Sequence, residues 1–368
     1  MSQFAGDVSK RLYSLDVFRG LTMFLLIAEG AGFHHSFYEL VKDNSILEPV
    51  ALQLHHHPWH GLRFWDLIQP FFMFIVGVAM PFSLRKRLAS GSRREATLHI
   101  VKRCFLLFAF GVLLHCVYSH ALVWELWNVL VQLAFTILIA YAIMDLPHKY
   151  QLLISAGLLV LTELLYRLYN PQDPFNDGNS FGSLMDMAFM GKINGGGWVT
   201  INFIPTAAHT IWGVVCGQLL LSDKPGMEKV KTFLKWAVVL LILGFGMDLL
   251  GITPIIKRIA TSSFTLASGG FALLALALSF WYIDVKGNHP KLLKVFSVVG
   301  TNSIFIYLFS ETVGHQWFTG FGKIFTEGLL APLGVPENVI LVVNALFVLY
   351  IFWYLTYFLD KKKVYFKI

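Results

Sequence analysis

Charge is scarce in this sequence. Of its 368 residues only 14% are Asp, Glu, Lys or Arg, while 56% are hydrophobic and 15% aromatic. Soluble domains carry about 25% charged residues. By length alone the chain would hold about two to three soluble domains, and that composition excludes them. Cysteine is also scarce. Cys104, Cys116 and Cys216 all lie in apolar runs without metal-ligand spacing, which argues against a metal cluster and leaves packing. There is no low-complexity tail, no soluble domain and no convincing internal repeat. An inverted-repeat transporter would show matched interrupted helices in its two halves, and Pro70 and Pro205 do not pair in that way. What the chain has instead is a series of apolar runs of about 20 residues, the mark of a polytopic α-helical membrane protein.

Ten spans are predicted, near 12–31, 63–84, 98–118, 123–145, 150–168, 200–221, 233–251, 262–284, 296–317 and 338–359. They make residues 1–368 one all-α transmembrane domain. The connections alternate in charge. One set holds Lys10 and Arg11, the run from Arg85 to Arg103, Lys149, Lys224 to Lys235, Lys286 to Lys294, and Lys361 to Lys367. The other holds scattered cations such as Lys42, Lys192, Lys257, Arg258 and Lys323. The positive-inside rule then puts both termini in the cytoplasm. Read this way, the net charge of +7 is a topology signal rather than a nucleic-acid surface. Asp16 and Arg19 interrupt the first apolar run, so it is expected to be a retained helix rather than a cleaved leader.

The densest chemistry lies between Gln53 and Ser83. His55, His56, His57 and His60 surround Pro58 and Trp59, and a span follows with Asp66 and Gln69 in its opening turns. Imidazoles at a membrane face suit a general base or a transient nucleophile, because they take a proton near neutral pH. The competing reading is an interfacial loop seated among lipid headgroups. Three adjacent histidines do not converge easily on one ion, so no metal is expected. Asp66 either orients a histidine, pairs with a cation from another span, or is an N-terminal-turn carboxylate favoured by the helix dipole. Pro70 is expected to loosen the turn before it.

In SLDVFRG, Asp16 and Arg19 are i, i+3 neighbours, either an anion-binding entrance with Ser14 or a structural ion pair. Glu29, beside Gly30 and Gly32, is placed by the predicted topology on the histidine side, where a Glu–His pair would raise basicity. His209 either lines the same space or bonds between helices. The loop 169–199, with its GKINGGGW segment, reads as turn chemistry long enough to be functional.

SLDVFRGLTM (Ser14 to Met23), the histidine-plus-WHGL segment running into DLIQPFFMFIVGVAM (His55 to Met80), TSSFTLASGG (Thr261 to Gly270) and GTNSIFIYLFSE (Gly300 to Glu311) resemble the membrane domain of heparan-α-glucosaminide N-acetyltransferases and their bacterial relatives. The resemblance runs through nearly the whole chain in the same order. It implies transfer of an acetyl group from cytoplasmic acetyl-CoA, a co-substrate, to an amino sugar across the membrane. The family's active histidine falls on His56, with His55 and His57 as one-residue alternatives. Its other motif positions fall on Asp66, on Ser14, Asp16, Arg19 and Gly20, and on Asn302. Two positions depart from the pattern: Glu29 replaces an Asn, and Val131–Gln132 replaces Gln–Arg.

The resulting expectation has Ser14, Asp16 and Arg19 at the CoA site, the phosphates near Arg19 and the Arg85–Arg103 loop, and His56 as base or acyl carrier. Glu29 or Asp66 would orient His56, and Asn302 would polarise the thioester. Expected partners are a sugar or glycan acceptor and membrane lipid, with a homodimer admitted and nucleic acid not expected. The expected location is a bacterial inner membrane. The alternatives are a glycan or lipid transporter or flippase without acyl chemistry, and a catalytically dead relative.

Overall fold

The computed structural model describes residues 12–366 and 368, so Lys10, Arg11 and Lys367 of the charge pattern lie outside the described residues. Among those residues the chain forms fifteen α-helices, short 3₁₀ and π segments, and no strand. In order, α1 is Tyr13–Gly30, α2 Phe33–Val41, α3 Glu48–Leu52, α4 Ile68–Ser90 and α5 Arg93–Tyr118. Then come α6 Val129–Ile143, α7 His148–Tyr169, α8 Phe181–Met190, α9 Phe203–Leu221 and α10 Gly226–Leu249. The last five are α11 Ser262–Phe280, α12 Lys291–Thr301, α13 Ser303–Phe309, α14 Thr319–Leu330 and α15 Glu337–Lys361.

Seven helices are long and apolar enough to cross a membrane, and an eighth is counted if α12 and the helical run from Ser303 to Leu333 form one span bent by 75°. Three of the ten expected spans therefore differ. At 12–31, α1 has the length but carries Asp16, Arg19 and Glu29. At 123–145 the chain stays irregular up to Asn128, whose side chain accepts from Leu130 N and caps α6. That leaves fifteen helical residues, about 22 Å, short of the roughly 30 Å apolar core. At 296–317 the helix breaks at Asn302.

Pro70 and Pro205 both sit in the first turn of their helices, α4 and α9. A missing N–H there removes no intrahelical bond, so Pro70 starts its helix rather than opening it.

The bundle is built around α4 and α9, with 61% and 72% of their apolar windows enclosed, against 22–28% for α5, α7 and α10. Their contact is made by small residues. A Cβ at Gly77 would collide with the Thr210 carbonyl, and one at Gly213 with the Phe74 carbonyl. Where lipid removes the hydrophobic drive between helices, such backbone approach supplies the packing energy. The same device joins α1 to α12, where a Cβ at Gly20 would strike the Phe296 carbonyl. Helices α1 and α4 contribute to two cores. Met23, Ile27 and Met73 belong to one, and Phe18, Phe74 and Val78 to the other. The site lies in the space that α1, α4, α5 and α6 leave between them.

Candidate active site

His56 comes from the loop that precedes α4. The 3₁₀ turn Phe64–Leu67 fixes it, because Asp66 accepts the backbone N–H of Arg63 (2.9 Å) and of His57 (3.2 Å) on Oδ2. Its other oxygen, Oδ1, is 2.9 Å from His56 Nδ1. Arg63 closes the loop by donating to the His56 carbonyl at 3.0 Å. Gly61 is required there. Its φ is +144°, and a Cβ would lie 2.6 Å from His57 Nε2.

The three candidate histidines separate cleanly. His55 Nδ1 lies 3.1 Å from the Ala51 carbonyl and its ring meets Tyr38. His57 packs under Gly61 with a buried, unpartnered Nδ1. Of the three, His56 lines the cavity. His60 is exposed and reaches Asp248 at 2.7 Å.

The histidine cavity holds about 320 Å³. Glu29, Glu311, Gln69, Gln132, Trp198 and Lys257 are among its walls. The pair bond expected for His56 comes from Asp66, whereas Glu29 faces the cavity and is hydrogen-bonded by the Trp65 indole. Tyr118 donates to Glu311 at 2.6 Å, and Gln69 to Gln132. His115 enters from α5 with Nδ1 2.7 Å from Glu125, which also takes Lys192 at 2.6 Å. Asn194 and Trp198 belong to the glycine-rich loop, and the Trp198 ring stands edge-on to His56 at 5.5 Å.

Lys257 was not anticipated as a site residue. It is 7% exposed, with Nζ 3.0 Å from His56 Nδ1, 3.8 Å from Asp66 Oδ1 and 5.2 Å from the Trp198 ring centre. Burial lowers its amine to about 8, against the opposing pull of Asp66 and Glu29. Burial and then the Lys257 charge bring the His56 imidazole down to about 4, in spite of Asp66. The imidazole is therefore neutral at physiological pH. The signal for Lys257 lay in TSSFTLASGG just downstream. Thr261 and Ser263 each donate to the Pro254 carbonyl at 2.7 Å, shaping the loop that carries Lys257. The rest of that motif is interhelical. His209 Nε2 lies 2.9 Å from Ser268 Oγ and 3.1 Å from the Thr265 carbonyl.

A second cavity of about 390 Å³ adjoins the first. Leu26, Phe72, Val129 and Tyr307 line both and form a collar between them. Arg19, Arg87, His99 and Arg103 line this arginine cavity away from the collar residues, with apolar walls from Met23, Ile75 and Leu133. Arg19 also pairs with Asp16 at 4.0 Å. Ser14 is fully buried on α1, and neither it nor Asp16 is among the residues lining the cavity. Asp284 receives the backbone N–H of Tyr13 and Ser14, both at 3.2 Å. Asn302 is bound elsewhere. Its amide donates to the Val364 carbonyl at 3.0 Å and accepts from Phe366 N at 2.9 Å, so it pins the segment whose Phe366 and Ile368 line the arginine cavity.

This pairing of a His–Asp dyad with a cationic recess falls largely within residues 11–245, which match a family described as a domain of unknown function, DUF5009. The chain belongs to that family. Within DUF5009 terms, the match takes in His56, Asp66 and the arginine cluster, while Lys257 and Glu311 lie beyond it. The chain is also 31% identical over 107 residues to heparan-alpha-glucosaminide N-acetyltransferase of Mus musculus. That stretch is 29% of this chain and 14% of the mouse protein, a distant relation to a transferase.

Proposed function

We propose that this protein is a membrane-embedded acyltransferase that moves an acetyl group from cytoplasmic acetyl-CoA to an amine or hydroxyl of a sugar on the opposite side. One observation carries the reading: the dyad cavity and the arginine cavity meet back to back at a single collar of four side chains. Acyl transfer to an acceptor across a membrane needs such a pair, one recess for a polyanion and one for the acceptor, joined where the acyl group changes hands. The similarity to a named N-acetyltransferase supports the same class.

In this reading Arg19, Arg87 and Arg103 take the CoA phosphates, since guanidinium groups bind phosphate through paired N–H bonds. The co-substrate supplies an activated acyl thioester. His56 presents Nε2 to the acceptor, with Nδ1–H held by Asp66, and acts as general base or as transient acyl carrier. Tyr307 of the collar, with Gln69 and Asn128 in the same cavity wall, supplies donors for the developing oxyanion. The basic arginine end faces the cytoplasm, both termini lie there, and the protein resides in a bacterial inner membrane.

The test uses purified protein in lipid nanodiscs, labelled acetyl-CoA and glucosamine as probe acceptor. Label passing to the sugar, and lost in His56→Gln, supports the proposal. Sugar uptake into proteoliposomes without CoA, and no acyl transfer, would replace it with transport.

A further inference from the structure

The His56 site contains a conflict that the dyad alone does not resolve. Nδ1 lies 2.9 Å from Asp66 Oδ1 and 3.0 Å from Lys257 Nζ. A ring nitrogen has one in-plane position for a hydrogen bond. The carboxylate requires Nδ1 to carry a proton, and an ammonium requires it to offer a lone pair. Both partners are held in place. Asp66 is fully buried under two backbone N–H donors, and Lys257 is enclosed between Trp198 and Asp66 on a loop anchored by buried Ile255, Ile256 and Ile259. Two partners thus compete for one hydrogen-bonding position, with two protonation patterns. In one, His56 donates Nδ1–H to Asp66, Lys257 is a neutral amine and Nε2 is free. In the other, Lys257 is an ammonium donating to Nδ1, and the proton sits on Nε2.

The two patterns differ by one proton, and we propose that Lys257 is the resting place of the proton removed from the acceptor, with His56 as the relay. This rests on the acyltransferase reading. As the acceptor nitrogen or oxygen attacks the thioester carbonyl, its proton passes to His56 Nε2 and the Nδ1 proton passes to Lys257 Nζ. The C–N or C–O bond forms and the C–S bond breaks. The thiolate then recovers the proton as the relay runs backwards, leaving a free thiol. The imidazole never has to hold a positive charge next to a buried cation. Beside Asp66 from the turn before α4, the charges bearing on Lys257 are Glu29 from α1 and Arg258 from its own loop. Lys257 is accordingly a positioning residue that acts through His56.

The test compares full-length wild type with Lys257→Met and Lys257→Arg in nanodiscs, using acetyl-CoA and glucosamine between about pH 6 and about pH 9. Titration of the acceptor amine is common to all three and cancels in the ratio of rates. The wild-type to Lys257→Met ratio is expected to climb about tenfold per pH unit towards pH 8 and then level. Lys257→Arg is expected to restore nothing, because a guanidinium does not give up its proton. A flat ratio, or a wild-type rate in Lys257→Arg, overturns the relay and leaves acyl transfer standing. A second measurement needs no turnover: ¹⁵N shifts of labelled histidine, with His56 assigned through His56→Gln. A change from the Nδ1–H to the Nε2–H tautomer as wild type is acidified through about pH 8 supports the relay even if no acyl transfer is found. One unchanging tautomer overturns it.

Discussion

Asp66→Asn separates the chemistry of the dyad from its architecture. The substituted side chain is isosteric, and its surroundings decide how it sits. Two backbone donors, His57 N and Arg63 N, point at the Oδ2 position, so the amide oxygen must stay there. The new NH₂ then faces His56 Nδ1, 2.9 Å away in the wild type. A donor at that position requires a lone pair on Nδ1, which moves the ring proton to Nε2 and blocks the nitrogen that should act as base. Hydrogen bonds to a charged group contribute about 1.5–3 kcal/mol, so a stability loss of about 2–3 kcal/mol is expected with the fold retained. The same wrong-tautomer substitution in a serine-protease triad lowers turnover about 10⁴-fold. Above about pH 8, where the wild type carries Nδ1–H, a fall in kcat of about 10³- to 10⁴-fold is expected, with KM for acetyl-CoA within about threefold because the arginine cavity is untouched. The assay is steady-state release of free CoA thiol, with a denaturation midpoint on the same preparation. In a double-mutant comparison, Asp66→Asn with His56→Gln should be no worse than the poorer single variant. Turnover of Asp66→Asn within about tenfold of wild type would refute the assignment of Asp66 as the orienting group.

Four further outcomes follow from the same geometry. His56→Gln should abolish transfer, whereas His55→Gln should keep it within about tenfold, as seen in label transferred to the probe sugar, because His55 is engaged by Ala51 and Tyr38. Arg87→Gln and Arg103→Gln should each raise KM for acetyl-CoA about 10- to 100-fold, the value of a charge-assisted bond, with a smaller change in kcat. Val129→Trp should close the collar and stop turnover while leaving binding of CoA to the arginine cavity measurable by calorimetry. His34 is 4% exposed and its ring centre is 4.3 Å from that of Trp65; burial and then His55 lower its imidazole from 6.5 to about 4. The folded pKa is depressed, so its contribution is present above about pH 6.5 and is lost as pH falls towards 4. About 2–3 kcal/mol should disappear across that window in acid melts, and His34→Phe should flatten the dependence.

Much of the fold was legible because apolar run length is a direct consequence of bilayer thickness. The exceptions have local causes. Asp16, Arg19 and Glu29 make α1 too polar to count by composition, yet it packs against α4, α11 and α12; the first two form an ion pair and Glu29 opens onto a polar cavity. Asn128 shortens α6 by capping it within what reads as a continuous run. In the site, His56 and Asp66 were legible because ten residues of one turn bring them together. Lys257 was not, since it reaches His56 across 201 positions, and the one nearby signal, TSSFTLASGG, marks the loop rather than the lysine. Trp198 and Asn194 were visible only as a glycine-rich loop of functional length. Asn302 carried a motif signal that the structure spends on holding the Val364–Phe366 backbone.

Helix α1 has one more consequence. Arg19 and Glu29 stand on it ten residues apart, about 15 Å along the axis, one in each cavity. Between them the helix has neither proline nor break, and Gly20 locks it backbone to backbone against α12. It is a stiff rod with a finger in both chambers. One unbroken helix therefore fixes the spacing of the guanidinium's and the carboxylate's anchor points, and with it how the two chambers are set relative to each other.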